Sequence, residues 1–129
     1  MFDRLEFVYL PSDDAAADVE HYTQRLGAEF VFAIERFGTR VAMVRPAPDG
    51  PTLLFAEHLE GDRPILIFRV DDLDEATARL EAGGVELEGP FEMPYGHGVQ
   101  VRLPGPQRVA VYEETRPERG ASIVGRRDF

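Results

Sequence analysis

The chain has 129 residues, enough for one domain with a real core and too few for two independent ones, and its 43% hydrophobic and 29% charged content is that of an ordinary globular protein. A formal charge of −10 and an isoelectric point near 4.7 repel phosphate backbones and anionic membranes, so neither nucleic acid nor a membrane is expected as a partner. Cysteine is absent, which excludes disulfides and thiolate chemistry; no apolar run is long enough to span a bilayer, the first residues show no signal-peptide pattern, and a cytoplasmic protein is expected.

LEFVYL (residues 5–10) reads as a strand of β-forming residues, and Pro11-Ser12-Asp13-Asp14 breaks it and offers helix caps. Ala15, Val19, Tyr22 and Leu26 recur at helical spacing, and Gly27 stops the helix. EFVFAIER, RVAMVR and TLLFAEH follow as three strands, joined by turns at Phe37-Gly38-Thr39 and over Pro46 to Pro51. Then the order restarts. ILIFRV (residues 65–70) is a strand, Asp72 and Glu75 have capping-box spacing, and Leu73, Ala76 and Leu80 form a helical stripe that Gly83-Gly84 ends. VELEGPFEMP, a turn around Gly96, GVQVRL, a turn at Pro104-Gly105-Pro106, and RVAVYEE supply three more strands.

One half laid on the other matches Leu10 with Val70, Gly27 with Gly84, Gly38 with Gly96 and TLLFAE with RVAVYE, a shift of about 56 to 60 residues. The expected fold is α+β: two tandem βαβββ modules, at about 3–58 and 64–115, within a single domain that ends in a tail at 116–129. One helix per four strands implies a curved sheet, an incomplete mixed barrel whose face away from the helices is a concave ligand cavity. The tail is locally basic through Arg116, Arg119, Arg126 and Arg127, and Phe129 packs either on its own domain or on a neighbouring subunit.

LPSDDAAADVEHYTQRLGAEF, FRVDDLDEATARLEAGGVEL and LPGPQRVAVYEETRP, in that order, resemble the module openings and closing hairpin of the glyoxalase/bleomycin-resistance (vicinal oxygen chelate) superfamily over about residues 3 to 117. Leu103-Pro104-Gly105-Pro106 departs from the Asp-Pro-Asp-Gly usual in that hairpin. In metal-dependent members, four ligands come from the first and last strands of each module. Carried over, these positions fall on Leu5, Leu54 (Leu53 if the register slips) and Ile65 and Ala110, none of which offers a donor to a cation. The resemblance therefore implies a member without metal or other cofactor, and it implies a homodimer by family habit.

Period-2 alternation from those positions puts Phe7, Tyr9, Ile67, Arg69, Arg108 and Tyr112 on the cavity face, with Phe55 joining only if its strand slips. Phe7, Tyr9, Leu54, Ile67, Arg69, Tyr95 and Tyr112 are the candidate ligand-binding residues, with core packing as the plain alternative for each aromatic. His97, read as part of a hairpin tip at the cavity mouth, is the weak candidate for a general acid or base; His21 reads as a surface residue, and Glu57 and His58, as neighbours on a strand, cannot form a dyad on one face. The expected function is metal-independent binding or sequestration of a small hydrophobic or aromatic molecule. Two alternatives stand beside it: a metal-independent isomerase or lyase using His97, Tyr95 or Arg69, and an interaction module with a vestigial cavity.

Overall fold

Each half of the sequence opens with an apolar strand that runs into an aspartate-capped helix. The computed structural model, which describes residues 2–36 and 38–129, keeps that order in both halves. β1 (Arg4–Pro11) leads into α1 (Ala15–Glu20), followed by β2 (Glu29–Arg36), β3 (Thr39–Arg45) and β4 (Thr52–Ala56). β5 (Ile65–Arg69) leads into α2 (Leu73–Ala82), followed by β6 (Leu87–Met93), β7 (Gly96–Val101) and β8 (Arg108–Glu114). The fold is mixed α+β. Of the expected turn at Phe37-Gly38-Thr39, Phe37 lies outside the described residues, and Gly38 takes a left-handed φ of 76° that only glycine adopts freely.

Two compact units arise, and neither is one continuous stretch: Phe7–Pro64 with Ile123–Phe129, and Ile65–Ser122 with the first residues through Glu6. In the first unit the strands lie in the order β2-β3-β4-β1, with β1 parallel to β4 and the other pairs antiparallel. α1 covers one face, where Val19 and Tyr22 pack with Leu10, Phe30, Ala42, Val44 and Phe55. Its start is held twice. The Asp14 carboxylate accepts the Ala17 amide at 3.1 Å, and Glu57, just past β4, accepts the Ala15 amide at 2.8 Å. The α-helix does not reach Leu26 as its periodicity suggested. From His21 to Arg25 it widens into a π-helical turn, where the Thr23 hydroxyl competes for the Val19 carbonyl at 2.7 Å, before Gly27 (φ 75°) ends it.

The tail closes this unit. Gly125 donates to the Val31 carbonyl, Ala33 to the Arg126 carbonyl and Asp128 to the Ala33 carbonyl, at 2.7 to 2.9 Å, so the tail runs along the outer edge of β2, joined to it by one parallel bridge between Ala33 and Arg127. The Arg40 guanidinium lies over the Phe129 ring at 4.9 Å, and Arg127 lies over Phe30 at 4.7 Å. Phe129 thus packs on its own chain.

In the second unit the order is β5-β8-β7-β6, with β5 parallel to β8. α2 covers one face through Leu73, Ala76 and Leu80, packed on Val70, Val101 and Val111. Asp72 accepts the Glu75 amide at 3.0 Å and Glu113, in β8, accepts the Leu73 amide at 2.8 Å. A third helix, α3 (Pro117–Ile123), lies where the sequence suggested only a tail. Its glycine and serine give it little intrinsic propensity. Contacts hold its start instead: Arg116 donates to Glu92 and to the Met93 and Gly96 carbonyls at 2.6 to 2.9 Å, and a Cβ at Gly120 would run into the Tyr95 ring.

The parallel registers refine the internal repeat. Phe7 opposes Thr52 and Ile65 opposes Arg108 at the starts of matching five-pair ladders, so Phe7 corresponds to Ile65 and Thr52 to Arg108. The capping residues Asp14 and Asp72 keep the same spacing from those strands. Ile65 therefore matches Phe7 rather than Leu5, one full strand period further along, which leaves the face unchanged.

Candidate functional site

Each sheet has a helix face and an opposite face, and the buried clusters tell them apart. In the first unit Leu10, Leu53 and Phe55 pack towards α1, with the Phe55 ring 5.0 Å from that of Tyr22. Alternation then turns Phe7, Tyr9, Thr52 and Leu54 to the opposite face. The register without a slip holds, so Leu54 rather than Leu53 or Phe55 belongs there. Phe32, Met43, Leu54 and Tyr9 line up across the four strands, the first three with 4% exposure or less. The Thr52 hydroxyl, opposite Phe7, is buried and finds no hydrogen-bond partner among the described residues.

Tyr9 is half-buried, and burial pushes its phenol pKa up, so it stays protonated. Its Oη lies 3.0 Å from Nε2 of His58, and Nδ1 of the same ring lies 3.1 Å from the Thr39 hydroxyl. Alternation predicts that the neighbours Glu57 and His58 point opposite ways. They do: Glu57 turns to α1, and His58 turns to the face of Leu54 and Tyr9. The signal was present in the sequence as shared parity with Leu54; the partner, Tyr9, comes from a strand 49 residues away and only the parallel β1–β4 register brings it near.

In the second unit Val70 and Val111 face α2, so Ile67, Arg69, Ala110 and Tyr112 face away from it. Phe91, Gly98, Tyr112 and Arg69 form one row across the sheet. Phe91 was not singled out from the sequence. Its ring lies across Gly98, where a Cβ would meet the ring at 2.5 Å, and the glycine in an otherwise apolar strand was the available sign. Ile67 is 1% exposed and Tyr112 fully buried. Burial, together with the charges of Glu6 and Glu114, pushes the Tyr112 phenol far up, while Arg69 opposes the shift.

Arg69 is heavily engaged: its guanidinium lies 3.6 Å from Glu6, 3.9 Å from Asp3 and 4.0 Å from Glu114. An anionic ligand there would compete with three carboxylates. Tyr95 packs its ring under Gly120, and its carbonyl accepts the Thr115 and Arg116 amides at 3.0 and 2.7 Å. His97 is not at a hairpin tip; it lies within β7, opposite Glu92 and Glu113, and shares its parity with Val99 and Val101, which pack towards α2. The structure therefore does not gather His97, Tyr95 and Arg69 around one point. His21 is exposed.

Leu5, Leu54, Ile65 and Ala110, the positions to which the family resemblance carries a ligand set, have no nitrogen, carboxylate or thiolate donor in their side chains, and neither does Phe7, so these residues do not fit a cation. Among the described residues no group of three or more His, Asp or Glu side chains is arranged to hold a metal. No helix among them is long and apolar enough to cross a membrane.

The Glyoxalase/Bleomycin resistance protein/Dioxygenase superfamily profile matches residues 4–112, and the chain belongs to that superfamily. No curated protein matches the sequence. Solved structures share the fold at low identity. Methylmalonyl-CoA epimerase from Mycobacterium tuberculosis superposes with a TM-score of 0.75 at 20% identity, covering 91% of each chain. A Streptomyces coelicolor methylmalonyl-CoA epimerase variant in complex with 2-nitronate-propionyl-CoA gives 0.69 at 18% identity, covering 89% of this chain and 99% of that one. A glyoxalase I mutant from Zea mays gives 0.63 at 16% identity, covering 85% of this chain and 42% of the other.

Proposed function

We propose that this chain is a metal-independent member of the superfamily that binds a small hydrophobic or aromatic molecule on a sheet face turned away from its helices. What carries the reading is that Leu5, Leu54, Ile65 and Ala110, the positions to which the family resemblance carries the cation ligands, are all hydrocarbon. In the first unit Phe7, Tyr9 and Leu54 share a face with few polar groups, which suits a flat apolar ligand through contact area and the hydrophobic effect. The orphaned Thr52 hydroxyl supports it, because a buried unpaired polar atom costs about 1–3 kcal/mol unless something bonds to it.

Two measurements test the reading. Elemental analysis after dialysis is expected to find no stoichiometric zinc, nickel, iron or manganese; a full equivalent of any of them would overturn it. A thermal-shift screen of planar aromatic compounds is expected to find stabilisers worth about 2.7 kcal/mol at a hundredfold excess over Kd. Tyr9→Ala, at a half-buried position on a face turned away from the helices, is expected to fold and to lose most of that rise. If it unfolds, Tyr9 is core alone, and a screen without any stabiliser removes the proposal.

A further inference from the structure

The first unit holds a chain of three hydrogen-bonded side chains at one end of its sheet. Thr39 at the start of β3, His58 just past β4 and Tyr9 in β1 lie in series, with contacts of 3.1 and 3.0 Å through the two nitrogens of one imidazole. The His58 ring is exposed, so it exchanges protons with solvent, whereas Tyr9 is half-buried between Phe7 and the Leu54 and Met43 row. Glu57, the nearest carboxylate in sequence, is turned away and occupied by Arg40 and by the Ala15 amide, so it does not compete for the imidazole. Both partners are hydroxyls that can donate or accept, and the phenol, the stronger acid of the two, is the better donor, which favours the ring N–H on the Thr39 side. A hydroxyl at one nitrogen and a half-buried phenol at the other form a path from the face of Leu54 and Tyr9 to water.

Resting on the ligand-binding reading above, we propose that Tyr9, His58 and Thr39 are a proton relay for a planar aromatic ligand bearing a weakly acidic hydroxyl, a phenol or an enol. In the resting state the neutral His58 donates from Nδ1 to the Thr39 hydroxyl and accepts the Tyr9 phenol proton at Nε2. The ligand hydroxyl donates to the free lone pair of Tyr9 Oη. In the transfer the ligand O–H bond breaks and its proton joins Tyr9 Oη, while the proton Tyr9 carried moves to His58 Nε2. The ligand becomes an oxyanion, Tyr9 remains a neutral phenol that donates to it, and His58 becomes an imidazolium; charge and protons balance. Burial keeps Tyr9 from holding the negative charge itself, and so makes it a conduit rather than a base. Tyr9 is the group that touches the ligand, and His58 and Thr39 act through it.

The probe is 4-nitrophenol, whose phenolate has its own absorption band, with 4-nitroanisole as the isosteric control that has no proton to give. At a pH just below the ionisation of free 4-nitrophenol, the wild-type protein is expected to bind it as the phenolate and at least tenfold more tightly than 4-nitroanisole. ¹⁵N-histidine spectra are expected to show His58 changing from a single neutral tautomer to imidazolium on binding, with His21 and His97 unmoved. His58→Gln, at an exposed position outside the core, is expected to retain binding but hold the probe as neutral phenol; Tyr9→Phe, which removes the group that touches the ligand hydroxyl, is expected to bind more weakly and to hold what it binds as neutral phenol. A phenolate band that persists in either variant, or a His58 ring that stays neutral in the wild-type complex, overturns the relay. Equal binding of both probes in neutral form overturns the relay while leaving the ligand-binding reading standing. Failure to bind either probe removes both.

Discussion

Just past β4 in the first unit, Glu57 accepts the Ala15 amide and is itself clamped by the Arg40 guanidinium at 2.7 to 3.1 Å. In β8 of the second unit, Glu113 accepts the Leu73 amide, and the residue across from it in register is His97. The sheet edges differ in the same way. β2 is sealed by the tail, whereas among the described residues β6 ends its strand order with no strand beyond it and is broken by a bulge between Leu87 and Gly89 and by Pro90. Both units need a helix start satisfied and an edge protected. Carboxylates satisfy both helix starts, but the edges are protected differently, β2 by an added partner and β6 by withholding the groups that would invite one. A duplicated fold therefore does not imply duplicated chemistry: the same structural demand leaves room for different residues.

Removing the tail is the largest test of this contrast. A chain ending at Val124 loses the bonds to β2 and the packing of Phe129, and is expected to lose about 3 kcal/mol and about 10 °C in melting temperature. It should also self-associate through the bared β2 edge, visible in light scattering; a truncated protein as stable and monodisperse as the parent would show that the tail seals nothing.

The paired glutamates come next. Glu57→Gln is expected to cost about 1 kcal/mol in chemical denaturation, and Glu113→Gln less, because only Glu57 also has a guanidinium clamp. Equal losses would mean that Arg40 adds nothing to the cap. The pH dependence sharpens this. The Arg40 hydrogen bond first, and the Ala15 amide second, hold the Glu57 carboxyl below the ordinary glutamate range. A depressed folded pKa contributes stability that is complete above the unfolded value and is lost as pH falls through the folded one. The wild-type melting temperature should therefore drop between about pH 5 and about pH 3 more steeply than that of Glu57→Gln. Parallel curves would remove the linkage.

The smallest effect is expected at β6. Pro90→Thr restores a backbone donor on the edge of the second unit and should change stability by no more than about 0.5 kcal/mol. Its consequence lies in association: slow aggregation on concentration is expected where the parent stays dispersed. Unchanged behaviour would shift the protective role to the bulge.

Alternating apolar residues, aspartates before each helix and glycines after them were enough to read eight strands, two helices and the duplicated order from the sequence, because those signals are local. Parity also assigned Phe7, Tyr9, Leu54, Ile67, Arg69 and Tyr112 to the face away from the helices, since a strand's period is two whatever lies beside it. Other features depend on residues far apart in the chain. α3 forms through Arg116 and Tyr95 although its own propensity is low, and the tail makes its bridge at Arg127 only because β2 has an edge to offer. The repeat pairs Ile65 with Phe7 instead of Leu5 because parallel ladders, not residue similarity, set the register. His97, prominent in the sequence, turned towards the helix face, while His58, set aside, met Tyr9 and Thr39. Local periodicity says which way a side chain points; what it meets there is decided by strand pairing, which no local pattern encodes.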